Sequence, residues 1–151
     1  MLRKPAAVLA LVLAALPVAA MNAPTISDGD TLQLNGTVFR LYGLDAPEKN
    51  QLCADGWNGG EEAKKALEAL VAGAKVECRA ITKDSQGRTV GTCSADGEDI
   101  GADLVRQGMA WAHLKYSLQY LPEEMLARWD GVGIHGRKCD KPWDWLKKDK
   151  R

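Results

Sequence analysis

The chain has 151 residues, of which 46% are hydrophobic and 26% are charged, and its 20 basic residues balance 20 acidic ones. This composition is typical of a folded globular protein and excludes an intrinsically disordered one. Because no excess of positive charge exists, a protein that binds nucleic acid through charge alone is also excluded. The length corresponds to one domain, or to one domain with a processing segment.

An apolar run over residues 5–20 lies at the N-terminus, directly after the basic residues Arg3 and Lys4. Pro17 interrupts it, and the small residues that follow are typical of a signal-peptidase site. The pattern predicts a signal peptide over residues 1–20 and a single domain over residues 21–151. The alternative is an uncleaved membrane anchor, for which the run is short. We therefore expect a secreted or periplasmic protein without stable membrane association after cleavage.

The first predicted elements after residue 20 are strands, followed by a helix. Thr31–Leu34 and Thr37–Leu44 flank Asn35-Gly36, a dipeptide that strongly favours a tight hairpin between them. The strand before this hairpin must come from Met21–Ile26. Apolar residues at helical spacing then predict a helix over Gly60–Val71.

A second hairpin and two helices follow in the sequence. The strands Lys75–Ile81 and Arg88–Ser94 enclose the turn-forming residues 84–87. One helix is predicted between an N-cap at Asp99 and Gly108, and another over residues 122–130. Because the hairpins are tight and no strand–helix–strand alternation occurs, a small antiparallel barrel carrying helices is favoured over a parallel α/β sheet.

Four cysteines lie after the predicted signal peptide, an even number that favours disulfides in an exported chain. The turn of the second hairpin lies midway between Cys78 and Cys93, so these residues should face each other at disulfide distance. Cys53 then pairs with Cys139. A zinc site that uses Cys139 and His135 is the alternative, and the absence of a Cys-x-x-Cys pair disfavours it.

Acidic and basic residues cluster around the first hairpin and recur at the second. Asp30 precedes one strand, Arg40 lies in the next, Asp45-Ala46-Pro47-Glu48 ends it, and Arg88 begins a strand of the second hairpin. Each motif alone is common in turns and solvated strands. Together these residues indicate phosphodiester hydrolysis. Carboxylates suit Mg²⁺ or Ca²⁺, a further carboxylate can activate water, and two arginines can neutralise charge on the phosphoryl oxygens.

The register of the first hairpin presents a difficulty for this cluster. A two-residue turn pairs Asp30 with Leu41, and strict alternation then puts Asp30 and Arg40 on opposite faces of the sheet. Either a bulge intervenes, or Asp30 lies beyond the regular ladder.

Six motifs, in order, resemble those of the thermonuclease, or staphylococcal-nuclease-like, family. They are Asp-Gly-Asp-Thr (28–31), Arg-Leu (40–41), Asp-x-Pro-Glu (45–48), Gly-Arg (87–88), Leu-Val-Arg-Gln-Gly (104–108) and Pro-Trp-x-Trp (142–145). The resemblance implies an α+β fold, a five-stranded OB-fold barrel with about three helices. It also implies a Ca²⁺-dependent, non-specific endonuclease that cleaves DNA and RNA at the 5′-oxygen and leaves 3′-phosphates. We expect a monomer that prefers single-stranded or denatured nucleic acid.

The resemblance also implies roles for individual residues. The implied calcium ligands are the carboxylates of Asp30 and Asp45 and the backbone carbonyl of Ala46. Glu48 would activate the attacking water. Arg40 and Arg88 would contact the scissile phosphate, and Tyr116 would bind substrate.

Two positions depart from the family pattern. Gln86 stands beside Arg88 where an aromatic residue is common, and Leu114 replaces a substrate-binding tyrosine. Two rival functions are kept as alternatives: an OB-fold module that binds nucleic acid or protein without cutting, and a structural accessory protein. The tryptophans of the second half are interpreted as packing residues rather than base-stacking ones: Trp111, Trp129, Trp143 and Trp145.

Overall fold

The computed structural model describes residues 23–150, so the predicted signal peptide lies outside the described residues. The strands are β1 (Thr25–Asp28), β2 (Thr31–Leu34), β3 (Thr37–Leu41), β4 (Leu44–Asp45), β5 (Val76–Lys83), β6 (Thr89–Ala95), β7 (Glu98–Asp99) and β8 (Trp111–Ala112). The helices are α1 (Gly59–Val71), α2 (Ile100–Arg106), α3 (Leu121–Asp130) and α4 (Pro142–Asp149), with a 3₁₀ turn over Gly133–Gly136. None of the helices within residues 23–150 is long and apolar enough to cross a membrane.

The predicted α+β class is confirmed, with three differences in detail. The main sheet has the strand order β1-β2-β3-β6-β5, and β7 extends it beside β6. No hydrogen-bonded pairing joins β1 to β5 within the described part of the chain, so the predicted five-stranded barrel is not closed. The pairing of β3 with β6 is parallel, and α4 brings the helices of residues 23–150 to four instead of about three.

The predicted third strand is shorter than Thr37–Leu44 because the chain turns after Leu41. Gly43 adopts a φ of +79°, a left-handed conformation that glycine reaches without a Cβ penalty. The two residues that follow leave the main sheet as β4 and pair with β8, where Asp45 faces Trp111. This bend carries Asp45 to the end of the sheet instead of along its ladder.

The core lies between the main sheet and the helices α1 and α2. Leu32 of β2, Leu67 of α1 and Leu104 of α2 are each fully buried in it. Trp111 is also buried, as the packing interpretation predicts. That interpretation is wrong for Trp129, whose side chain is 89% exposed on α3 because the helix turns its Ala127 side inward.

Both predicted disulfides are present. Cys78 pairs with Cys93 across β5 and β6, in the register that the second hairpin predicts. Cys53 is bonded to Cys139, 86 residues further along the chain, and so fixes the C-terminal segment to the loop after β4. Because Cys139 is in a disulfide, the alternative zinc site with His135 is excluded.

Removal of Cys53–Cys139 is expected to destabilise the fold more than removal of Cys78–Cys93. In the chain-entropy model the longer loop contributes about 4.6 kcal/mol and the shorter loop about 3 kcal/mol. Urea unfolding of the two double cysteine-to-alanine variants measures these free energies. An equal or reversed order would contradict the entropic argument.

Candidate active site

The predicted site residues line one open groove at the end of the main sheet, with a volume of about 670 Å³. We call it the catalytic groove. Its lining includes Asp28 and all the residues to which the resemblance assigns a role: Asp30, Arg40, Asp45, Ala46, Glu48, Arg88 and Tyr116. Asp28 and Tyr116, which are 88 positions apart in sequence, therefore line the same space.

The register difficulty at the first hairpin is resolved by the position of Asp30. This residue lies in the turn between β1 and β2, where the β1–β2 register also shifts, and so outside the alternation of the ladder. Arg40 pairs with Thr31 in the β2–β3 ladder, and its Nη1 atom donates to Asp30 Oδ1 at 2.8 Å. The second of the two sequence alternatives is the one observed.

Arg40 bridges two carboxylates, one from the turn between β1 and β2 and one from β4. While its Nη1 atom binds Asp30, its Nη2 atom donates a short hydrogen bond to Asp45. The other oxygen of Asp30 accepts from the backbone amide of Ala46 at 2.9 Å, which ties the first hairpin to the segment after β4. Both carboxylates are therefore directed at a single centre of positive charge.

The loop that carries Glu48 is held by Gln51, a residue that the sequence analysis does not identify. Gln51 is fully buried, and its Oε1 atom accepts from the Glu48 amide at 3.0 Å. Its Nε2 atom donates to the carbonyl of Asp140 at 2.6 Å, beside the Cys53–Cys139 disulfide. The loop also packs directly against Gly60, where any side chain would clash, because a Cβ atom there would lie 2.1 Å from the Glu48 carbonyl oxygen. A glutamine in a loop gives no sequence signal for such a role.

Arg88 is oriented by Asp84, which the sequence analysis treats only as a turn residue. Asp84 Oδ2 accepts from Arg88 Nε at 2.7 Å, and Oδ1 accepts from the amides of Gln86 and Arg88, each at 2.9 Å. These bonds fix the turn and direct the guanidinium along the groove. They also hold the pKa of Asp84 below its ordinary value in spite of partial burial. The sequence signal for this role is an aspartate at the first position of a turn that ends in glycine, where its side chain can accept from turn amides.

Burial sets the ionisation of the two key carboxyls. It raises the pKa of Asp30 to about 8, and the nearby charges of Asp28 and Asp45 act in the same direction, while Arg40 opposes them. Burial and the charge of Asp45 also raise the pKa of Glu48. Burial opposes the charged form of Arg40, but Asp30 and Asp45 together raise its pKa above the usual range. Both shifts favour the protonated, uncharged forms of these two carboxyls.

The donor set suits a hard divalent cation. Asp30 and Asp45 already share one cationic partner, and Ala46, whose amide donates to Asp30, lines the same groove. Within residues 23–150, no three acidic, histidine or cysteine side chains form a metal cage by themselves. Two carboxylates with a carbonyl leave further positions to water, as is common for Ca²⁺ and not for structural zinc.

Tyr116 closes one side of the catalytic groove. Its backbone carbonyl accepts a hydrogen bond of 2.7 Å from the Tyr42 hydroxyl, and its ring lies 4.5 Å from the ring of His113. The tyrosine side chain is 59% exposed. It is therefore positioned by neighbours and accessible to a ligand.

Replacing Asp84 by asparagine is expected to lower kcat on nucleic acid by about tenfold, because the charge that fixes the Arg88 guanidinium is lost. The turn itself should persist, since an asparagine Oδ1 still accepts from the two amides. Steady-state kinetics measures the effect. Asp96→Asn, in the turn at the opposite end of β6, is the matched control, and an equal loss in both variants would contradict the role of Asp84.

Residues 38–134 match the family model described as staphylococcal nuclease homologue. The chain belongs to this family. It is 34% identical over 133 residues to an uncharacterized endonuclease of Haemophilus influenzae, covering 83% of this chain and 71% of that protein. It is 32% identical over 165 aligned positions to Protein ParB of Escherichia coli, covering 96% of this chain and 90% of that protein.

Some relatives are much longer than this chain. The probable staphylococcal-like nuclease CAN1 of rice is 34% identical over 120 residues, which are 75% of this chain but 33% of that protein. The family match begins at Val38 and includes Arg40, Asp45, Glu48 and Arg88. Asp30 precedes it, so its place in the site rests on its contacts with Arg40 and Ala46.

Proposed function

We propose that the chain is a calcium-dependent, non-specific endonuclease that hydrolyses DNA and RNA at the 5′-oxygen and leaves 3′-phosphates. The observation that carries the proposal is the convergence of Glu48, Arg40 and Arg88 on one groove beside the Asp30–Asp45 pair. Relatives named as nucleases or endonucleases support the same reaction class. Single-stranded or denatured nucleic acid is the proposed preferred substrate, because an open groove admits a strand more readily than a duplex.

The proposed chemistry assigns each side chain a separate task. Glu48 accepts a proton from the water that attacks phosphorus in line with the P–O5′ bond, and its raised pKa suits a base that works near neutral pH. As that bond breaks, the 5′-oxygen leaves and takes a proton from solvent. Arg40 and Arg88 neutralise the charge that builds on the phosphoryl oxygens.

Asp30, Asp45 and the Ala46 carbonyl are the proposed calcium ligands. Bound there, calcium would supply Lewis-acid charge neutralisation to the phosphate. Arg40 holds the two carboxylates in place and limits their mutual repulsion, so the site keeps its arrangement when calcium is scarce.

We further propose that the protein acts as a monomer outside the cytoplasm, secreted or periplasmic. Support comes from two disulfides, which persist in oxidising compartments, and from the N-terminal signal-like pattern.

Incubation of denatured DNA with the mature protein tests the function, with calcium in one series and a chelator in the other. We expect cleavage only with calcium and products that end in 3′-phosphate. Products that end in 5′-phosphate would refute the proposed bond. Retained DNA binding without any cleavage would favour the non-catalytic module instead.

Calcium is expected to raise the melting temperature, and the rise should grow from about pH 5 to about pH 8. A carboxyl must lose its proton before it binds a metal, and the pKa of Asp30 is raised to about 8. Without calcium, the raised pKa means that protonated Asp30 stabilises the fold. This stabilisation is complete below pH 3.8, the ordinary pKa of an aspartate, and is lost as the pH rises through about 8.

Differential scanning calorimetry at several pH values, with calcium or with chelator, measures the rise. A calcium-induced rise that is independent of pH would contradict the assignment of Asp30 as a ligand.

A further inference from the structure

The side chains of the catalytic groove supply no excess of positive charge for a nucleic acid strand. Five acidic and three basic side chains line it, so its net charge is −2 when all are ionised. Two of the basic groups, Arg40 and Arg88, are already paired with carboxylates. With the proposed calcium ion counted, the charges of the side chains and the ion sum to about zero, so further phosphate contacts, which dominate nucleic acid binding, must come from a neighbouring surface.

A second groove of about 560 Å³ adjoins the catalytic groove. The two share His113 and Tyr116 in their linings, so the grooves meet at these two side chains. The second groove runs between the segment after β8, helix α3 and the start of α4. We call it the basic groove, because Lys115, Arg128 and Lys141 line it with one acid, Glu124, giving a net charge of +2.

The charges of the basic groove are available to a ligand. Glu124 is buried, and it accepts from Arg128 at 2.6 Å and from the Ala112 amide at 2.9 Å, so its charge is already satisfied. Neither Lys115 nor Lys141 forms a salt bridge within residues 23–150. Two ammonium groups thus remain without an acidic partner there.

Each of these lysines lies beside an aromatic ring. Lys115 Nζ lies 5.9 Å from the ring centroid of Tyr116, and Lys141 Nζ lies 5.3 Å from that of Trp143. The His113 ring lies between the two aromatic residues, 4.5 Å from Tyr116 and 4.9 Å from Trp143. Cations that follow a backbone beside rings that stack on bases are the common features of surfaces that bind single strands.

We propose that the basic groove is a subsite for the nucleotides that flank the scissile bond of a single-stranded substrate. The inference rests on the proposed nucleolytic function for the identity of the substrate. It assigns substrate affinity to Lys115, Lys141, Tyr116 and Trp143, and bond cleavage to the catalytic groove. A long strand engages both grooves, whereas a dinucleotide with one phosphodiester fills only the catalytic groove.

Binding to the uncleaving Glu48→Gln protein with calcium tests the subsite. Fluorescence anisotropy measures Kd for a single-stranded oligonucleotide of about twelve nucleotides over a range of salt concentrations. With Lys115→Gln and Lys141→Gln together, the slope of log Kd against log salt is expected to fall by about 1.4, since each lost phosphate contact contributes about 0.7. Near 0.1 M salt the affinity should fall on the order of tenfold.

Lys65→Gln with Lys75→Gln is the matched control, because both lysines are exposed, carry the same charge and line neither groove. We expect this control to keep the wild-type slope. An unchanged slope in the Lys115 and Lys141 variant, or the same slope change in both variants, would overturn the proposal. An acidic peptide of equal charge that competes as well as the oligonucleotide would also overturn it, by indicating a peptide site.

Cleavage kinetics in the active protein separates this inference from the proposed function. The ratio of kcat/KM for the long strand to that for the dinucleotide is expected to fall about tenfold in the Lys115 and Lys141 variant, through KM. An unchanged ratio would overturn the subsite. If the wild-type protein cleaves neither substrate, the nuclease function fails, while the salt slopes still decide the subsite.

Discussion

Replacing Glu48 by glutamine is expected to lower kcat by about 10²–10⁴-fold, the range that a general base contributes. The amide keeps the size of the side chain but cannot accept a proton from water. The Glu48 backbone should stay in place, because Gln51 holds it through main-chain atoms. Calcium binding and substrate Kd are therefore expected to change little, so the loss appears in kcat alone.

Glu61→Gln is the matched control for this substitution. Glu61 is an exposed glutamate in the first turn of α1 and lines neither groove. Single-turnover cleavage of denatured DNA with saturating calcium measures the chemical step directly. A Glu48→Gln protein that cleaves at the rate of the control would place the base elsewhere.

Replacing Arg40 by methionine is expected to lower kcat by about 10²-fold or more and the free energy of unfolding by about 3 kcal/mol without calcium. The stability loss arises because Asp30 and Asp45 lose the cation they share. It should be smaller at low pH, since a protonated Asp30 needs no counter-ion. Arg40→Lys is expected to have a kcat and a free energy of unfolding between those of the wild type and Arg40→Met. An ammonium group keeps the charge but cannot bind both carboxylates as the guanidinium does.

The effect of calcium distinguishes the loss of a shared cation in Arg40→Met from a simple packing defect. A cation between the two aspartates replaces the lost guanidinium charge, so calcium should stabilise Arg40→Met more than the wild type. Arg79→Met, an exposed arginine on β5, is the control for losing a strand arginine. Urea unfolding of the wild type and the two variants, each with calcium or with chelator, gives the six free energies of unfolding. An equal calcium effect in wild type and Arg40→Met would refute the shared-cation argument.

Local signals in the sequence predict most of the fold correctly. Asn35-Gly36 determines the first hairpin, and the register of Leu34 with Thr37 follows from it. The second hairpin places Cys78 opposite Cys93. Such features depend on a few neighbouring residues and on turn chemistry, which one chain displays directly.

Features that depend on distant residues could not be predicted from these signals. The position of Asp30 beyond the ladder depends on its contacts with Arg40 and Ala46, which form only after the sheet folds. The pairing of the two-residue strands β4 and β8 leaves no periodicity to detect. Gln51 is a polar residue whose burial is explained only by its two partners.

The Gln51 contacts also determine when the proposed active site can form during synthesis of the chain. Residue 140 leaves the ribosome long after the hairpins that carry Asp30, Arg40 and Arg88, yet its carbonyl anchors the loop of Glu48. A chain that is truncated or clipped before Cys139 would keep these hairpins but lose that anchor and the nearby disulfide. The contact therefore makes the positioning of the proposed base one of the last steps of maturation.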